Sequence, residues 1–311
     1  MCGYQSEEYA RSLDEAGTPR RLERSGGWVL DRPIAGRPDR DAMGCYPLFA
    51  CRDWSALAAD LDGLGDLVSL VLVTDPFGDF DPSRQGAWFN RGAVPFKAHH
   101  VVELGPPVER LASPHHRRNA RKALDRMAIE RLDDPTRALD DWRRLYAVLV
   151  DRHEVRGLAA FSRASFARQL AVPGLVAFRA EAGGSTVGML LWYVRGDVAY
   201  YHLGAYDESG YALNASFALF WRAIGWFAAN GDVRWLDLGA GAGLDREGPG
   251  GLDRFKAGWS TGTRPAYLCR HVFRADRYDE LVRDAGTVGS AYFPAYRAAE
   301  FAPSRPKAPA T

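Results

Sequence analysis

A chain of 311 residues with 47% hydrophobic and 25% charged content has the make-up of an ordinary folded protein with room for two domain-sized cores, which excludes a disordered or repeat protein. A formal net charge of +1 excludes a whole-molecule field for nucleic acid or membrane, so a polyanionic partner has to be met by a local patch. Apolar runs stay near about eight residues, the N-terminus has no signal-peptide pattern, and Cys2, Cys45, Cys51 and Cys269 form no Cys-x-x-Cys pair. No membrane span, metal site or disulfide framework is therefore expected, and cytoplasmic residence is the default. The oligomeric state is not legible.

Residues 1–25 are polar, carry Arg20, Arg21 and Arg24, and read as a mobile leader or a short surface helix. From Trp28 the sequence turns strand-like over 28–34. A glycine- and proline-bearing connection follows, and then Trp54, Leu57, Leu61 and Leu64 mark out a helix. Residues 68–73 are a buried strand ended by Thr74-Asp75-Pro76-Phe77-Gly78, and 101–104 close a first α/β unit over 26–110. Asp75 and Asp79 flank the turn and offer carboxylates for a substrate amine, although turn chemistry alone also accounts for them.

A connecting helix over 111–132 follows, with Ser113 as N-cap and Pro114 as first helical residue. Arg117, Arg118, Arg121 and Lys122 share one face of it. Such a face is either solvated or a patch for phosphate or another polyanion, for which guanidinium forks are well suited.

The second unit spans 133–300. It opens on helices over 140–152 and 162–171, then a strand over 175–181. Residues 187–194 and 198–205 form a hairpin about Arg195-Gly196-Asp197. Leu213, Phe217, Phe220, Ile224 and Phe227 then lie on one helical face that Asn230-Gly231 stops. A strand ends in Trp235-Leu236-Asp237-Leu238-Gly239, and 265–273 are a late strand. Residues 301–311 hold three prolines and read as disordered. The glycines at 239, 241 and 243 after Asp237 also fit the cofactor loop of a methyltransferase. That alternative needs a helix directly after them, where Gly248-Pro249-Gly250-Gly251 stands in the way, and further strand and helix pairs beyond Gly243.

The order of hairpin, amphipathic helix and strand resembles the acyl-CoA N-acyltransferase fold of the Gcn5-related superfamily. The phrase Leu236-Asp237-Leu238-Gly239, followed by Gly251-Leu252-Asp253-Arg254-Phe255-Lys256-Ala257-Gly258-Trp259, resembles the close of its Fem-like branch, which builds peptide bridges from aminoacyl-tRNA, and of related acetyltransferases with two fused acyltransferase-like domains. The resemblance implies an α/β (α+β) fold of two such domains with mixed central sheets flanked by helices. It implies N-acyl transfer from acetyl-CoA, another acyl-CoA or aminoacyl-tRNA to an amine of a small molecule or peptide, and the basic helix also resembles that branch. The family's pyrophosphate loop carries a basic residue and two glycines before the long helix. Here the stretch runs from Asp207 through Ser209, Gly210 and Tyr211 to Asn214, with one glycine and no leading basic residue. Ser209, Gly210 and Tyr211 are the candidate contacts to donor phosphates at a helix N-terminus. A non-catalytic relative that binds an anionic ligand or partner is the alternative.

Amide formation asks for a deprotonated amine, a stabilised oxyanion and a proton for the leaving group, and needs no metal. Lys256 is the first candidate, as a partly buried ammonium between Phe255 and Trp259. Strand alternation sends Tyr201 to one face and Tyr200 and His202 to the other. Tyr201 and His202 are the further catalytic candidates, His202 as a base, against the reading of a core histidine. The candidate substrate-binding set is Arg117, Arg118, Arg121, Lys122, Asp75, Tyr206, Asn214, Phe255 and Trp259, with Tyr206 and Tyr211 also readable as packing.

Overall fold

The structure, a computed structural model, describes residues 2–155, 157–241 and 250–300. Eleven strands are present: β1 (Thr18–Arg21), β2 (Trp28–Pro33), β3 (Arg40–Gly44), β4 (Ser69–Val73), β5 (Ala93–Glu103), β6 (Ala128–Leu132), β7 (Leu175–Ala182), β8 (Ser185–Arg195), β9 (Val198–Tyr206), β10 (Trp235–Gly239) and β11 (Gly262–Val272). They form a single mixed sheet in the order β1-β2-β3-β4-β11-β5-β10-β9-β8-β7-β6. The helices are α1 (Glu7–Arg11), α2 (Leu57–Leu61), α3 (Val108–Leu111), α4 (Pro114–Leu124), α5 (Leu139–His153), α6 (Arg163–Gln169), α7 (Glu208–Ala212), α8 (Ala215–Asn230), α9 (Gly251–Ala257) and α10 (Ala275–Asp284).

The hairpin and helix expected in the second half are present. The apolar face of α8 buries Phe220, Ile224 and Phe227 against Trp192, Ala199, Leu236 and Leu238, and Gly231 ends the helix at φ 74°. Helix α4 lies beside α8, with Ala120 and Ala123 in the same core. The opposite face of the sheet is covered by α5 and α6 over β8 and β9, through Trp142, Leu145, Phe166, Met189 and Leu191.

Two expectations are corrected. The leader is not mobile: Tyr9 and Ala10 are fully buried on the short helix α1 and β1 pairs antiparallel with β2, while exposed charges, Glu8, Arg11, Arg21 and Arg24 among them, give this stretch its polar look. The late strand belongs to no separate second sheet. Strand β11 inserts between β4 and β5, and α10 then packs Tyr278 and Leu281 against Ile34 and Val68 in the N-terminal half, so 262–300 return across the molecule. The doubly wound sheet that a methyltransferase needs is not formed, because only β3 with β4 and β9 with β10 pair in parallel among the named strands. Residues 242–249, in which most of the glycine-rich loop falls, and the expected tail at 301–311 lie outside the described residues.

Candidate active site

Strands β9 and β10 run parallel and share only three register pairs, the last joining Asp237 to Tyr200. Beyond that point β9 continues to Tyr206 while β10 ends at Gly239, so the strands part in the middle of the sheet. A parting of parallel strands exposes edge groups and side-chain room that a continuous ladder would fill. The candidate site is built around this fork.

Lys256 closes it from α9. Its side chain is 5% exposed, its Nζ donates to the Ala240 carbonyl at 2.7 Å, and it lies 5.6 Å from the centre of the Tyr201 ring. Burial pulls the ammonium down to about 8, the field of Asp237 opposes that shift, and Lys97 adds to it. Tyr201 is the β9 residue just past the last pair. Its ring packs on Trp192 and Phe220, and its hydroxyl and that of Tyr206 crowd over Gly204, where a Cβ would stand 2.4 Å from the Tyr201 oxygen. Burial raises both phenols above their usual range, which keeps them neutral donors.

Beside Lys256 lies a pair the sequence reading missed. Asp237 is 2% exposed, in the middle of an otherwise apolar strand, and both its oxygens are 3.0 Å from Nδ1 of His99 on β5. Its Oδ1 also accepts the Gly239 N–H at 2.7 Å. A register shift between β10 and β5 at this point lets Gly239 turn at φ 73°. The carboxylate thereby accepts from Nδ1–H of His99 and leaves Nε2, which has no partner among the described residues, facing the site. Lys97, two residues earlier on the same face of β5, reaches toward the Gly241 carbonyl, and burial lowers its ammonium. On the other face His100 bonds Asp253 of α9 at 2.9 Å. The available signal was a lone acid between Leu236 and Leu238, since an unpaired buried carboxylate is costly and demands a partner.

Several other candidates are placed elsewhere. His202 is a core histidine: Nδ1 meets the Tyr4 hydroxyl and Nε2 the Gln169 side chain, both at 3.0 Å, and burial pulls it to about 3. With both nitrogens committed it is corrected from base to packing. Asp75 is buried, pairs with Arg195, accepts the Tyr200 hydroxyl at 2.9 Å and the Phe77 N–H at 2.8 Å, and is not open to a substrate amine. Trp259 is fully buried and stacked on Phe220. Phe255 packs on Phe217 and Phe220, and its carbonyl accepts from His116 at 2.8 Å, docking α4 on α9; a Cβ at Gly258 would lie 2.0 Å from that imidazole.

The expected phosphate contacts are largely taken. Asp207 caps α7, its carboxylate accepting the Gly210 N–H at 2.8 Å and its carbonyl the Tyr211 N–H at 2.9 Å. Arg144 of α5 bonds the same carboxylate at 3.0 Å, and Arg152 lies 4.3 Å over the Tyr211 ring. An open hollow of about 860 Å³ beside this turn is lined by Asp141, Arg144, Thr186, Asp207 and Ser209 among others, so its charges are already paired. Asn214 takes the left-handed conformation at φ 59° and starts α8 without a side-chain cap. On α4, Arg118, Arg121 and Lys122 are exposed, and none of them nor Arg117 has a carboxylate partner among the described residues.

Residues 114–257 match the family model described as an acetyltransferase (GNAT) domain. No curated protein matches the chain. Among solved structures it is similar to FemX, at 13% identity with a TM-score of 0.63 over 88% of this chain and 93% of that one. A C-terminal domain from Agrobacterium fabrum, provisionally described as from a lysylphosphatidylglycerol synthetase, is 15% identical with a TM-score of 0.58 over 92% and 93%. L-PGS from Bacillus licheniformis is 14% identical with a TM-score of 0.53 over 86% and 92%.

Proposed function

Residues 114–257 match an acetyltransferase (GNAT) domain, and we propose that the chain is a Gcn5-related, Fem-like acyltransferase that transfers an acetyl, acyl or aminoacyl group to the amine of a small molecule or peptide. The observation that carries this reading is the buried ammonium of Lys256 at the fork between β9 and β10. Attack of an amine on an acyl carbon places negative charge on the carbonyl oxygen, and a fixed cation in a water-poor fork stabilises that charge far more than it would in water. His99, held by Asp237, takes the proton from the attacking amine through Nε2. His99 then returns that proton from Nε2 to the leaving oxygen or sulfur as the tetrahedral intermediate collapses.

Two donor classes remain, and this chain's own residues favour aminoacyl-tRNA. The amides of Gly210 and Tyr211 are capped by Asp207, so they do not fit a coenzyme A pyrophosphate, whereas α4 presents three exposed cations without carboxylate partners. The same capped turn also favours a second reading, a non-catalytic relative that binds an anionic ligand.

A thermal-shift screen with coenzyme A, acetyl-CoA and charged tRNA separates the donors, because a ligand at a hundred times its dissociation constant adds about 2.7 kcal/mol of stability. With the donor in hand, Lys256→Met is expected to lower turnover a hundredfold or more, about 2.7–4 kcal/mol, at an unchanged fold. Near-normal turnover in that variant would remove Lys256 from the chemistry. Binding without turnover to any amine would favour the non-catalytic reading.

A further inference from the structure

On the face of the sheet that carries His99 and Asp237, β11 contributes Arg264 directly opposite His99 in the antiparallel register. Directly opposed residues of an antiparallel pair point to the same face with Cβ atoms roughly 4.5–5.5 Å apart. The guanidinium carbon of Arg264 lies 4.2 Å from the Phe77 ring centre and 4.6 Å from that of Trp235, and these two rings are 5.8 Å apart. The guanidinium rests in the corner between the two tilted rings, in contact with both. Among the described residues Arg264 has no carboxylate within 4 Å and makes no hydrogen bond, although it is half-buried. The neighbouring Arg234, also over Trp235, is paired with Glu103 at 2.8 Å, so that fork is taken.

A guanidinium positioned by two aromatic rings and without a protein partner is suited to a planar, bidentate anion. The rest of this face decides which one. Asp237 is buried on this face and would repel a compact dianion such as phosphate, whereas a ligand bearing its own cation satisfies both signs. Nε2 of His99 lies on the same face and accepts from a protonated amine.

We propose that Arg264, packed against Phe77 and Trp235, binds the carboxylate of an acceptor that is an amino acid or the carboxyl end of a short peptide, with the acceptor's amine directed at His99. This names the acceptor class for the acyl transfer proposed above and rests on that reading for the amine's role. Recognition of the carboxylate itself does not require a donor, so it is measured without one.

The test titrates the full-length protein with the twenty common amino acids, D-alanine and alanyl-alanine, each beside its carboxamide, and with inorganic phosphate, by ligand-observed NMR and melting temperature. At least one free acid is expected to bind, its amide at least tenfold more weakly. Arg264→Met keeps the apolar stem against the rings and is expected to bring acid and amide to the same weak level, and Arg264→Lys to restore part of the difference. Equal binding of acid and amide, a preference that survives Arg264→Met in a folded variant, or binding of no amino acid or peptide overturns the proposal. So does Arg264-dependent binding of phosphate alone. A protein that binds the acid in this Arg264-dependent way yet transfers no acyl group keeps the carboxylate site and loses the transfer reading. One that transfers to acid and amide alike loses only the site.

Discussion

A lysine at 5% exposure holds its charge only against the cost of leaving water, and in Lys256 that cost is large enough to bring the ammonium to about 8. In the unfolded chain the same group keeps its ordinary value of 10.5. Between these two values the unfolded state binds more protons than the native state, so this group makes stability rise with pH from about 8 and level off above 10.5. Unfolding free energies of wild type and Lys256→Met, measured by denaturant at pH 7 and pH 10.5, are expected to differ by roughly 3 kcal/mol more in favour of wild type at the higher pH. A constant difference across that range would mean the ammonium is not desolvated. Turnover that needs the charged form falls over the same window, through pH 8. The motif around Lys256 was legible in the sequence because lysine between aromatic residues is conspicuous. Its partners His99 and Asp237 were not, because their pairing spans 138 positions and no local pattern carries it.

At the scale of elements, what the sequence displayed was amphipathic period. Helix α8 and the hairpin of β8 and β9 stand where alternation and the four-three spacing put them, and Ser113 caps α4 through the His116 N–H as its residue type predicts. Strand β5 was read only in its last residues, since Val94-Pro95-Phe96-Lys97-Ala98-His99-His100 looks like a loop. It is a central strand whose Lys97 and His99 face the candidate site while His100 points to the other face, so no hydrophobic alternation marks it. Helix α4 shows the reverse case. Its inner side is fixed by His116, bonded to Ser113 and to the Phe255 carbonyl at 2.8 Å each, and its outer cations are left free. If those cations hold tRNA phosphates, the logarithm of the binding constant falls linearly with that of salt, by roughly 0.7–0.9 for each phosphate neutralised. Arg118→Glu with Arg121→Glu should flatten that slope by about two contacts and leave the melting temperature unchanged, as expected for exposed residues. A slope that both proteins share would make this a solvated face.

The whole molecule depends on contacts that no stretch of sequence announces. Strand β11 joins the two halves of the sheet through β4 and β5, so the expected units share one ladder. A second tie is electrostatic: Asp75 follows β4 in the N-terminal half, whereas Arg195 ends β8 and Tyr200 lies on β9. Burial pushes the Asp75 carboxyl above its usual value, Arg195 and the Phe77 N–H pull against that shift, and the Tyr200 hydroxyl bonds both partners. Replacing one member of such a buried pair leaves the other uncompensated, at about 3–5 kcal/mol, whereas replacing both with groups of similar shape restores much of the loss. Arg195→Met should therefore destabilise by about that amount, and adding Asp75→Asn should recover more than half of it. The sign with pH follows from the same carboxyl. With Arg195 gone, its native value rises further, and between the unfolded value of 3.8 and that raised value the native state binds more protons. Stability of Arg195→Met then increases relative to wild type as pH falls through that window, and the gap disappears in the double variant. Denaturant unfolding of the four proteins from pH 7 to pH 4 measures this directly. Additive losses with no pH dependence would show that the pair does not couple the two halves, which are then held in register by the pairing of β11 with β4 and β5 and of β10 with β5.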